Sequence, residues 1–81
     1  MRVIREINHP HCKITIYAWN NRYLVKLEQG LLEQTYKVNE TDVTGEADLL
    51  QMLDDKFITN ALDLFQQMSR NLLDAQSRTA F

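Results

Sequence analysis

The chain has 81 residues, 44% hydrophobic and 25% charged, with nine Lys and Arg against eleven Asp and Glu for a formal net charge of −2. One domain fits in that length, and a chain this short buries only about 60–65% of the surface its unfolded form exposes. The slightly acidic balance withholds the electrostatic term that drives most nucleic-acid binding, a single Cys closes no internal disulfide, and no apolar run approaches membrane-spanning length. A cytoplasmic protein is expected, with no nucleic-acid partner, no membrane partner and no cofactor. The opening "MRVIREINH" lacks the apolar segment of a secretion signal.

"RVIREI" (2–7) offers a candidate edge strand with a short, ambiguous alternation. It leads into "NHPHC" (8–12), where His9, His11 and Cys12 gather potential metal ligands. Structural zinc wants four ligands, usually from paired clusters, and no second cluster exists in the chain. Cys-His catalysis needs an imidazole beside the thiol, and adjacent residues on an extended segment alternate sides. The simpler expectation is that Pro10 marks the start of a strand, with Cys12 packing as a small hydrophobe in parity with Ile14.

"KITIYAW" (13–19) and "RYLVKLE" (22–28) both alternate with period two, and only Asn20 and Asn21 separate them. Asn tolerates positive φ, as both central positions of a type I′ turn require. The predicted ladder runs from Trp19 with Arg22 to Lys13 with Glu28. It puts Ile14, Ile16 and Ala18 against Leu27, Val25 and Tyr23 on the core face. The opposite face carries Tyr17, Trp19 and Leu24, rimmed by Lys13, Arg22, Lys26, Glu28 and Glu33. Aromatic residues inside a mixed-charge rim mark a candidate partner surface; cover by the N-terminal segment or the C-terminal tail is the alternative.

"GLLEQTYKV" (30–38) reads as a third strand of the meander after a turn at Gln29-Gly30, with Leu32, Gln34, Tyr36 and Val38 facing the core. Gln34 breaks that pattern, which suggests a place near the sheet margin or a different pairing. The meander thus occupies about 1–38.

From about 45 to 78 the period changes to that of a helix. Thr44 is the predicted N-cap of a first helix, Gly45 to Leu53, with Glu46 and Asp48 in its first turn. Its apolar face is out of phase with that of the following segment. A break at Asp54 resolves this, with Asp54 as N-cap and Leu53 and Ile58 as a hydrophobic staple. One curved helix is the rival. The second helix, about 55–76, carries an apolar arc of half its circumference, wide enough for two neighbours. At about 33 Å it outruns the strands, so its end near Leu72, Leu73 and Phe81 is expected to overhang. Asp54, Asp55, Asp63 and Asp74 read as capping and solvation rather than as a cation site, since no D-x-D-x-D-G loop is present.

The expected fold class is α+β: an antiparallel β-meander of three to four strands followed by two α-helices, the long C-terminal helix packed on one face of the sheet. No credible set of catalytic residues emerges, while apolar surface is left over. The sequence therefore points to a noncatalytic protein-interaction or regulatory module, self-associating as a homodimer or binding another protein through Tyr17, Trp19, Leu24, Met68, Leu72 and Leu73. The alternative is a small metal- or ligand-binding protein centred on His9, His11 and Cys12.

Overall fold

The computed structural model describes residues 1–79. Four antiparallel strands, β1 (Arg2–His9), β2 (Cys12–Trp19), β3 (Arg22–Gln29) and β4 (Leu32–Asn39), form one sheet in chain order. A short 3-10 turn, Glu40–Asp42, leads to α1 (Glu46–Met52) and α2 (Asp55–Ser77). This is the expected α+β arrangement, with the N-terminal segment as a full fourth strand. The expected overhang of Phe81 lies outside the described residues.

Turn chemistry sets the register of the meander. Asn20 and Asn21 take φ of 54° and 62°, and the β2–β3 ladder runs from Trp19↔Arg22 to Lys13↔Glu28 as the alternation demands. The β3–β4 turn falls at Gly30-Leu31 rather than Gln29-Gly30, with Gln29 opposite Leu32. Gly30 supplies φ of 58° at the first central position, which a type II′ turn requires. Pro10 and His11 form the β1–β2 turn, so Pro10 is a corner rather than a strand start, and its fixed φ suits that first central position. β1 carries a register shift between Val3 and Arg5, a bulge that leaves Ile4 unpaired opposite β2.

One face of the sheet is roofed by the helices. Ile14, Ile16, Val25 and Leu27 from the central strands close on Leu49 of α1 and on Ala61 and Phe65 of α2, all fully buried. Each large side chain so enclosed contributes about 1.5–3 kcal/mol relative to exposure. Ile4, Ile7, Tyr23, Tyr36, Val38, Leu50, Phe57, Leu62 and Met68 pack around that centre.

Gln34 lies on the edge strand of the sheet, and its pairing is two residues away from the one a Gln29-Gly30 turn would have given. It faces the core in register with Leu27, and both ends of its amide are engaged: Nε2 donates to the Ala61 carbonyl of α2 at 2.8 Å, while Oε1 accepts from the Tyr36 hydroxyl at 2.7 Å. A buried polar group is tolerable when so paired, and this one pins α2 to β4. Phe57 meets Tyr36 edge-on at 5.2 Å between ring centroids.

The helical half is two helices, broken where phase predicted. The Asp54 carboxylate accepts from the Phe57 N–H at 2.9 Å, capping α2. Leu53 and Ile58, the expected staple, both pack on the core. For α1 the N-cap is Gly45 and not Thr44: with φ of 147° it makes a turn few side chains permit, while the Asp48 carboxylate reaches back to accept from the Thr44 N–H at 3.2 Å. An exposed ion pair, Arg5 Nε to Glu46 Oε1 at 2.9 Å, links β1 to α1.

The contacts at Tyr36, Gln34 and the 30–32 turn, met in order by Phe57, Ala61 and Ser69–Leu72, show α2 running antiparallel to β4. Its 23 residues span about 34 Å at 1.5 Å each, against about 26 Å for an eight-residue strand. The last turn and a half of α2 therefore runs on past the end of β4, beside the β3–β4 turn, in keeping with a molecule 49 Å along its longest axis.

Candidate functional site

The predicted partner residues fall on two surfaces on opposite sides of the sheet. Tyr17, Trp19 and Leu24 lie on the face away from the helices. Pairing arranges that face in rows across the strands: Val3, Tyr17, Leu24 and Lys37 in one, and Glu6, Thr15, Lys26 and Thr35 in the next. Leu24 and Thr15 are buried although no helix covers them, and both stand on the two central strands with a neighbouring strand on either side. Tyr17 is half-buried, and Trp19 remains 47% exposed. Met1, Tyr17, Leu24, Lys26, Glu33 and Thr35 line a shallow groove of about 210 Å³. The N-terminal residues thus flank Tyr17 without enclosing Trp19.

Lys26 gives the groove its polar side. Its ammonium lies 3.5 Å from Glu33 and 4.0 Å from Glu28, and chiefly the Glu33 charge raises its pKa. The cation stays protonated, so this is an ion-paired rim and not a general base.

The second surface belongs to the α2 overhang. Ala61, Phe65, Met68 and Leu72 follow one another at intervals of four, three and four, so the core-facing stripe continues after the sheet has ended. Met68 still packs on the core, but Leu72 is 41% and Leu73 63% exposed. With Gln29, Gly30, Leu31, Leu32, Ser69 and Gln76 they line an open groove of about 360 Å³. Leu31, at the tip of the β3–β4 turn, is 95% exposed. Sequence reasoning missed Leu31 because the turn was placed one residue early. An apolar residue at a turn apex, where polar types are the rule, is the signal that identifies it.

The segment holding His9, His11 and Cys12 is a tight hairpin end. His9 stands opposite Cys12 across the ladder, and the two imidazoles have ring centroids 5.7 Å apart. His9 Nδ1 accepts from the His11 backbone N–H at 3.1 Å, and the His11 carbonyl accepts from Gln29 Nε2 at 3.0 Å. Cys12 is turned into the core, where burial pushes its thiol pKa up, the reverse of what a nucleophile or thiolate ligand needs. Among the described residues no three His, Cys, Asp or Glu side chains are gathered to hold a metal ion, and no helix is long and apolar enough to cross a membrane. No family model, curated protein or solved structure matches the chain.

Proposed function

We propose that this protein is a noncatalytic interaction module that self-associates and presents apolar surface to a protein partner. The observation that carries the reading is the α2 overhang, which keeps a core-type leucine stripe in solvent beside Leu31, at the one place where the sheet does not reach. At 41% and 63% exposure, Leu72 and Leu73 bury only part of their apolar surface within the chain, and the remainder is what a docking partner would cover. Tyr17, Trp19 and Leu24 on the opposite face supply a second, aromatic surface with a charged rim.

Light scattering at high protein concentration tests the reading, and the expected particle exceeds the 9.5 kDa of one chain. Leu72→Asp and Trp19→Ala then report which surface contributes. A strict monomer indifferent to both substitutions overturns the proposal.

A further inference from the structure

The two edges of the sheet are built differently. β1 is interrupted by the bulge between Val3 and Arg5 and carries Arg2, Arg5 and Glu6, the usual means by which an edge is made unfit for further pairing. β4 has no bulge, no proline and an unbroken eight-residue register. Because Gln29 and Leu32 flank a two-residue turn, they exchange hydrogen bonds, as does every second pair beyond them. The N–H and C=O groups of Glu33, Thr35 and Lys37 consequently point away from β3, and all three residues are exposed. α2 lies over the core face of β4 and leaves this row open in the plane of the sheet.

We infer that a second copy of this chain pairs with the β4 edge, antiparallel about a two-fold axis at Thr35, to make a continuous eight-stranded sheet. The partner follows from the spacing of charge. Edge charges normally repel added strands, but Glu33 and Lys37 are opposite in sign and equidistant from Thr35. A two-fold at Thr35 places each Glu33 against Lys37 of the other copy and Thr35 against its own counterpart. It also brings Leu32 to Val38 on the core face and sets Gln34 beside Tyr36, whose polar ends stay bonded within each chain. The three outward-pointing residues of each copy then face one another, which is the arrangement that lets both backbones satisfy their free groups. Among the described residues Lys37 makes no ion pair within its own chain. On the helical side, Leu64 lies two turns from Phe57 on the flank toward β4 and is exposed, where the second α2 would lie alongside.

The inference rests on the self-association proposed above and adds its geometry. Its test is a charge-swap pair read by light scattering on the full chain. Lys37→Glu leaves two carboxylates on the edge and Glu33→Lys two ammoniums, the latter also releasing Lys26 from its pair with Glu33, so each variant alone meets like charge and is expected to weaken its homodimer by about tenfold while circular dichroism shows the fold retained. Mixed in equal amounts, the two variants restore complementary pairs and form a heterodimer of near wild-type affinity. Thr35→Pro removes an N–H that the monomer leaves to solvent, so it should abolish the dimer while circular dichroism retains the sheet signal. A wild-type dimer untouched by either charge swap and by Thr35→Pro sinks the edge pairing and leaves the self-association standing. A wild-type monomer at all concentrations sinks both.

Discussion

Replacing Gln34 is the sharpest probe of how the helical layer is fastened to the sheet. Its two side-chain hydrogen bonds, 2.8 Å to Ala61 and 2.7 Å from Tyr36, are each worth about 0.5–1.5 kcal/mol net. Gln34→Leu keeps the volume, removes both bonds and strands the half-buried Tyr36 hydroxyl, for an expected loss of about 1–2 kcal/mol. Tyr36→Phe leaves the buried Oε1 of Gln34 without a donor and should cost about 1–2 kcal/mol. With both substitutions neither orphan exists, and Ala61 retains its helical partner, so the double variant should be less destabilised than the sum by about 1 kcal/mol. Urea unfolding, followed by Trp19 fluorescence and far-ultraviolet circular dichroism, measures all four corners of the cycle. Each 1 kcal/mol should move Tm by about 4–8 °C in a domain of this size. Strictly additive losses, or a Gln34→Leu variant as stable as wild type, would refute the clamp.

Three further outcomes follow from the same structure. Asp54→Ala should cost about 1 kcal/mol through loss of the bond from the Phe57 N–H, and Asp54→Ser should recover most of it in thermal unfolding. Asn21→Ala forces a Cβ-bearing, non-Asn residue to φ of 62° and should destabilise by about 1 kcal/mol, while Asn21→Gly should be neutral or stabilising. Native Cys12 should react with iodoacetamide far more slowly than the urea-unfolded chain, by mass spectrometry. Its folded pKa lies above the unfolded value of 9.0, so folding holds the proton more tightly. The associated stability is complete below about pH 9 and declines as pH rises through the folded value. Cys12→Ala should flatten that part of the alkaline decline.

What could be read from the sequence was what local chemistry and periodicity decide together. Asn20-Asn21 and the alternation on either side specify the same register, so the central hairpin is determined twice over. The break at Asp54 was visible because two apolar faces out of phase cannot belong to one straight helix. Gln34 was not readable in that way: the carbonyl that satisfies it belongs to Ala61, 27 positions later, and nothing near Gln34 announces it. Gly30 serves either central position of a hairpin turn, so composition alone did not decide between Gln29-Gly30 and Gly30-Leu31. The edge asymmetry was hidden too, because the bulge in β1 appears only when β2 is laid against it. Of the surface residues, Tyr17, Trp19, Leu72 and Leu73 followed from face and reach, whereas Leu31 depended on the exact turn.

The strictly sequential order of the strands also bears on how the chain folds. Every strand lies beside its neighbour in sequence, so the hairpins close through short loops, whereas the roof needs contacts between α2 and strands dozens of residues earlier. Any stage in which the hairpins have closed ahead of the helices leaves Ile14, Ile16, Val25 and Leu27 uncovered, an apolar sheet face open to chaperone capture or clumping until α2 docks.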